Sequence, residues 1–382
     1  MPVGPFGLDP LLWAIVRLLI AVVLVVALIL NSSLLLIYLE RKIQAVMQDR
    51  IGPYHTGPFG LLQTFADALK LIAKEDVRAG HTDVAFFIAA PALVFTPMLA
   101  SYVVLPFAPP LVGADLNIGL LYLATLGSMG VLGIVIAGWA SNNKYALVGG
   151  LRSAGQLISY EVPGILSLVT AVLVVGSLSM VKITETQTGP LVNLFVLPLA
   201  FATYLVSSLA ETNRTPFDLP EAESELVAGY LTEYSGMRWG TMLALTEYGN
   251  VVVVCSIMTT LWLGGWNGPG VAALPILGVV WFTLKVYALI LVFMWVRATL
   301  PRLRIDQLMS FCWKILIPTT LLNLAVTAVL LIAFPSTLVP VAIANWILLV
   351  AFIVLLPVVQ QRRLRQLRKT LRARTAAAGV AS

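Results

Sequence analysis

The chain is punctuated by long, nearly unbroken apolar runs, and these limit its fold more than any other feature. A run of 18 or more apolar residues crosses a hydrocarbon layer roughly 30 Å thick when helical. Within lipid only helices and closed barrels satisfy every backbone N–H and C=O. About nine such runs are read, at 11-38, 83-106, 117-139, 157-180, 190-210, 239-264, 272-297, 311-334 and 338-359. The alternating ten-residue segments of a barrel are missing. Composition agrees, with 59% hydrophobic and 11% charged residues, against about 25% charged in soluble domains. The expected fold is all-α: a polytopic transmembrane helical bundle forming one domain over residues 1-359.

Charge placement orients the bundle. Of the 24 Lys and Arg residues, all but Arg17, Lys182 and Lys285 lie in the alternate segments 40-81, 140-156, 211-238 and 297-314 or in the tail at 360-374. Cytoplasmic connections carry such an excess, so the N-terminus is expected outside and the C-terminus in the cytoplasm. An odd number of spans agrees. The net charge of +6 is thus topogenic, and no nucleic-acid partner is expected. The tail 360-382, with "QRRLRQLRKTLRART", reads as an anchor near anionic lipid, against the alternative of a docking arm. The first apolar run lacks a basic n-region and is too long for a secretory signal, so it reads as a retained span.

One connection carries a helix of another kind. In "GLLQTFADALKLIAKED", Leu61, Phe65, Leu69 and Ile72 recur at helical spacing, with Gln63, Asp67, Lys70 and Lys74 opposite. This helix, at about 61-74, is too short and polar to span and should lie in the interface plane. "GPYHTGPFG" before it breaks the chain into a sharp turn. The helix is either a passive float or the lip of a lipid-side entrance for an amphiphile.

Redox centres are not expected in this chain. An iron-sulfur cluster needs about four thiolates; only Cys255 and Cys312 are present, far apart, and they read as packing residues. His55 and His81 are too few and too separated for a metal or haem. Neither a phosphate-binding loop nor a dinucleotide fingerprint occurs, and "GSMGVLG" at 127-133 reads as close helix packing.

The remaining charges are the informative ones. Glu247 lies nine residues past Arg238, about 14 Å into its span; Glu161 stands two residues before Pro163, and Lys285 falls deep in another span. Ionised groups at such depth are costly and usually line polar cavities or ion paths; an interhelical salt bridge is the plainer reading. The connection at 211-237, "ETNRTPFDLPEAESELVAGYLTEYSG" with its flanks, holds Glu211, Asp218, Glu221, Glu223, Glu225 and Glu233. If helical, it stacks Asp218, Glu221 and Glu225 on one side, where like charges repel. That arrangement is either a solvated acidic face or a cluster whose coupled titration holds and passes protons toward Glu161, Glu211 and Glu247.

The stretches "ERKIQAVMQDRIGPYHTGPFGLLQTFADALKL", "GWASNNKYALVGGLRSAGQLISYEVP", "AETNRTPFDLPEAESELVAGYLTEYSG" and "WVRATLPRLRIDQLM" closely resemble, in order, the family of the membrane H subunit of proton-pumping NADH:quinone oxidoreductase, respiratory complex I. The resemblance implies a multi-pass component of a bacterial plasma membrane without independent activity. It would form much of the chamber where quinone, the substrate, is reduced, and couple that step to proton translocation. FMN and iron-sulfur clusters would belong to partner subunits of the redox arm, docked at the cytoplasmic loops; antiporter-like subunits would lie laterally in the lipid. On the matching positions, the resemblance makes Glu40, Arg41, Asp67 and Lys70 quinone-chamber or entrance residues. Glu161, Glu211 and Glu247 become intramembrane acids, and Asp218, Glu221, Glu223, Glu225 and Glu233 their link to the chamber. Alternatives are the homologous component of a membrane-bound hydrogenase, a stand-alone ion transporter, and a scaffold joining two arms.

Overall fold

The computed structural model describes residues 10–109, 111–187, 192–218 and 227–354. Helix dominates, and among the described residues the sole β-type pairing is a bridge between Ala108 and Leu111. The long helices are α1 (Pro10–Met47), α3 (Val84–Ser101), α4 (Gly119–Ala140), α5 (Lys144–Val175), α9 (Gly236–Trp262), α10 (Leu277–Thr299) and α11 (Ile305–Ala333). Between them lie α2 (Gln63–Ala73), α6 (Met180–Thr186), α7 (Val192–Val196) and α8 (Pro198–Glu211), and α12 (Val339–Val354) follows. Seven of these are long and apolar enough to cross a membrane.

Local chemistry sets the helix ends. The first helix does not stop at 38 but runs on for a total of 38 residues to Met47, about 57 Å at 1.5 Å per residue; the chain then turns at Asp49, which has positive φ. The span expected at 157-180 instead starts at an Asn143 cap, whose side chain accepts from the Tyr145 N–H at 2.9 Å. It ends at Gly176, whose left-handed φ of 75° closes the helix. The segment expected as a single span at 190-210 is two helices, because Pro198 opens α8 and Leu197 before it leaves the helical region (φ −126°, ψ 54°). The run at 338-359 is helical to Val354, and 355-359 lie outside the described residues, as does the tail 360-382.

The helix expected at 61-74 is α2, and the structure fixes its orientation. Leu61, Phe65, Leu69 and Ile72 are all exposed, whereas Gln63 and Asp67 are half-buried and Lys70 and Lys74 exposed. The preceding turn uses left-handed backbone at Gly57 and Gly60 (φ 74° and 81°), and it is pinned by Tyr38, whose hydroxyl donates to the Phe59 carbonyl at 3.0 Å.

The basic and acidic connections gather at one end of the bundle. Asn143 donates to Glu233 at 2.7 Å, Arg238 meets Asp76 at 2.8 Å, and the Leu303 N–H donates to the Pro216 carbonyl at 3.1 Å. At the far end of α9, the Lys285 ammonium donates to the carbonyls of Leu263, Gly265 and Asn267 at 2.7–2.9 Å. Lys285 thus caps a helix C-terminus rather than forming the interhelical salt bridge that its depth suggested. Two apolar cores fill the interior, one around Met258, Trp262 and Phe282 and one around Phe87, Ala137 and Met242.

Candidate functional site

A cleft of about 1150 Å³, counting its open side, runs along the seam between the two cores. Its walls come from α3, α4, α5, α8 and α9. Three carboxylates line it, Glu161, Glu211 and Glu247, together with Thr212, Asn213, Thr246 and Asn250. Residues drawn from three different helices are therefore brought into one polar slot inside an otherwise apolar bundle. Ser128 of α4 donates to the Glu161 carboxylate, which gives the small-residue stripe of α4 a polar contact as well as a packing role. Glu211 and Glu161 lie close enough for their charges to interact.

The backbone around each acid is shaped by particular residues. Glu211 ends α8, and Gln156 of α5 clamps the chain just there, donating to the Ala210 carbonyl at 2.9 Å and the Phe217 carbonyl at 2.7 Å. Glu247 closes a π-helical turn, Thr241–Glu247, whose wide loop is braced by the Thr246 hydroxyl donating to the Thr241 carbonyl at 2.9 Å. Such turns are frequent at functional positions because they re-aim side chains.

A second, smaller cavity lies behind Glu247, lined by Glu40, Arg214, Tyr248 and Arg297 among apolar residues. Glu40 and Arg214 are almost wholly buried. Arg214 reaches Glu40 at 3.4 Å and Glu247 at 3.9 Å, its guanidinium lies 4.3 Å from the centre of the Tyr248 ring, and Arg297 also pairs with Glu40. Burial opposes charge on Arg214, but Tyr248, Glu40 and Glu247 outweigh it, so its proton affinity is raised and it stays a cation. Buried ions persist only where partners satisfy them. Here one guanidinium joins the acid of α1 to an acid of the cleft.

The other expected site residues are more scattered. Arg41 and Asp67 pair at 2.5 Å, partly in solvent, tying α1 to α2. Lys70 is exposed on α2. Asp218, nearly buried, is held by Arg302 at 3.0 Å, and Glu233 by Asn143. Glu221, Glu223 and Glu225 lie outside the described residues. A helix through "LPEAESELVAGY" does not extend over its last residues: Val227 and Gly229 have positive φ, and Gly229–Leu231 is a 3-10 turn.

Sequence reasoning did not assign roles to Arg297, Arg302, Tyr248, Ser128 or Asn143. One signal was present: so many buried acids require counter-charges, and Arg214 is the single arginine within the acidic stretch.

Helices long and apolar enough to span, with three carboxylates lining an internal cleft, define a multi-pass helical membrane protein in which ionisable groups are held among the helices. Comparison with known proteins narrows this class. The family model described as NADH dehydrogenase matches residues 19–328. The H subunit of NADH-quinone oxidoreductase from Brevibacillus brevis is 50% identical over 312 residues, covering 81% of this chain and 92% of its own. The protein of the same name from Rubrobacter xylanophilus is 48% identical over 319 residues (82% and 95%), and that of Paramagnetospirillum magneticum 46% over 328 (86% and 96%). The chain belongs to the family of NADH-quinone oxidoreductase H subunits; it is a multi-pass bacterial membrane protein and a component of that enzyme complex.

Proposed function

We propose that this chain forms much of the quinone-binding chamber of the complex and couples quinone reduction to proton translocation through its buried carboxylates. The observation that supports this reading is that Arg214 touches both Glu40, which we assign to the chamber, and Glu247, which shares a cleft with Glu161 and Glu211. Carboxylates in such proximity titrate as a coupled set. A change of charge near Glu40 alters the competition for Arg214, and with it the proton occupancy of Glu247 and its neighbours. The chain's own residues hold and move protons; quinone is the substrate, and FMN and iron-sulfur clusters sit in partner subunits. Those partners are redox-arm subunits, docked on the charged end gathered around residues 212–218 and 233–238, and antiporter-like subunits beside the cleft. The charged end then faces the cytoplasm, with the N-terminus outside. Arg41, Asp67 and Lys70 line the approach beside α2, whose exposed apolar stripe suits contact with lipid.

The test uses the assembled complex carrying Glu161→Gln or Glu247→Gln. Quinone reduction coupled to proton translocation falls by about a hundredfold, the lower end of acid–base contributions, while electron transfer from NADH to a hydrophilic artificial acceptor stays near the parent rate. Parental proton-to-electron ratios in both variants would overturn the relay and favour a scaffold.

A further inference from the structure

We infer that Cys312 is a positioning residue for Glu161, acting through a carbonyl of α5 that a proline leaves without its helical donor. The inference rests on the relay reading above in one respect, that Glu161 carries protons; the geometry stands by itself.

Pro163 lies inside α5, two residues beyond Glu161. In an α-helix its N–H would bond the carbonyl four residues earlier, that of Ser159, but proline has no N–H. Ser159 is buried, so water does not readily replace the missing donor, and a buried unpartnered carbonyl is disfavoured. The thiol of Cys312, itself wholly buried on α11, lies 3.0 Å from that oxygen and donates to it. Its neighbour Trp313 donates its indole N–H to the Ser159 hydroxyl at 3.3 Å, and Tyr160 donates its hydroxyl to the Leu308 carbonyl at 3.0 Å. All three bonds join α11 to the single turn of α5 that delivers Glu161 to the cleft. A π-helical turn begins at Cys312 and ends at Leu316; by widening the helix it brings consecutive side chains, Cys312 and Trp313, to the same partner.

The same chemistry recurs in α3. Pro91 lies inside α3, so the carbonyl of Phe87 loses its helical donor in the same way. The Tyr234 hydroxyl donates to it at 3.3 Å, and burial raises the proton affinity of that phenol, keeping it a donor. Tyr234 follows Glu233 on the acidic connection. Two proline-freed carbonyls, one in α5 and one in α3, are thus taken by donors from other elements. Plain packing accounts for the burial of Cys312 but not for its contact with the one carbonyl that Pro163 vacates.

The experiment compares the assembled complex with its Cys312→Ala and Cys312→Ser variants by infrared difference spectroscopy and by the pH profile of quinone reduction. The parent-minus-Cys312→Ala spectrum shows an S–H stretching band lowered in frequency by hydrogen bonding. Cys312→Ala shifts the carboxyl band of Glu161, identified by its loss in Glu161→Gln, and moves the pH midpoint by about half a unit or more; Cys312→Ser, which keeps a donor, reverses much of both changes. An S–H band at the frequency of an unbonded thiol overturns the proposal. So does a Cys312→Ala complex with a parental Glu161 band. Should Cys312→Ala fail to assemble, Cys312→Val, of similar volume but without a donor, takes its place. If Glu161→Gln pumps normally, it is the relay reading that fails, and the Glu161 band alone then judges Cys312.

Discussion

The guanidinium of Arg214 and the carboxylate of Glu40 stand 174 positions apart in sequence and 3.4 Å apart in space, both almost shut off from solvent. Such a pair gains little over an apolar replacement of both members, but removal of Arg214 takes a counter-charge from Glu247 and leaves Glu40 to Arg297, so two buried acids lose compensation at once. Arg214→Ala should therefore destabilise the protein by about 3–5 kcal/mol. The check is thermal inactivation of the purified complex. A variant as stable as the parent would show that water reaches this cavity freely.

Arg41 and Asp67 provide the contrast, since the pair is partly exposed. Solvent screening reduces pairs of this kind to about 0.2–1 kcal/mol. Asp67→Asn is expected to leave the thermal midpoint nearly unchanged, and raising the salt concentration should abolish what difference remains. A large loss of stability would mean that α2 depends on this contact for its placement.

Energetic coupling between Glu247 and Arg214 is accessible to a double-mutant cycle. With Glu247→Gln, Arg214→Met and the double variant, the interaction term should fall at about 0.5–3 kcal/mol, the range for residues sharing an ion-pair network. Simple additivity of the two single changes in thermal stability would remove the link between Glu40 and the cleft on which the proposed relay depends.

Gly149 of α5 faces Gly229 of the acidic connection with no side chain between them. A Cβ built at 149 would lie 2.6 Å from the Gly229 Cα, so Gly149→Ala forces the backbones apart at a cost of about 1–3 kcal/mol. Limited proteolysis should then cut the connection near 227–235 faster than in the parent. Unchanged cleavage would show that the connection yields without penalty.

Lys285→Met leaves three carbonyls, those of the α9 cap Leu263 and of Gly265 and Asn267 in the turn beyond it, without their donor. Each buried group so abandoned costs about 1–3 kcal/mol, tempered here because the site is only partly buried. Lys285→Arg should retain part of the stability, as judged by thermal inactivation; equal behaviour of Met and Arg variants would argue that water satisfies these carbonyls.

Much of this architecture is legible in the amino-acid order, for reasons that are local. Apolar runs mark α3, α4, α9, α10 and α11 within a few residues because hydrocarbon demands helices of that length. The periodicity of Leu61, Phe65, Leu69 and Ile72 locates α2. Depth along a helix picks out Glu247 as unusual, and the nearby Pro163 picks out Glu161. What escaped has other causes. The break at Leu197 follows from Pro198, a signal outweighed by the hydrophobicity around it. The counter-ions Arg297 and Arg302 stand at helix ends, where basic residues are ordinary, and only tertiary packing turns them toward Glu40 and Asp218. The π-helical turns at Thr241–Glu247 and Cys312–Leu316 leave no compositional trace.

The position of Lys285 has an electrical consequence. Its ammonium is held beyond the last turn of α9, whereas Glu247 lies in the first half of that helix, so the bundle holds a fixed cation toward one end and the ion pairs of Arg214 nearer the other. The membrane voltage works on both: a unit charge carried through its full drop gains or loses about 2.3 kcal/mol per 100 mV. Backbone carbonyls thus fix a positive group at that end of the bundle, where it opposes the approach of any further cation from that side.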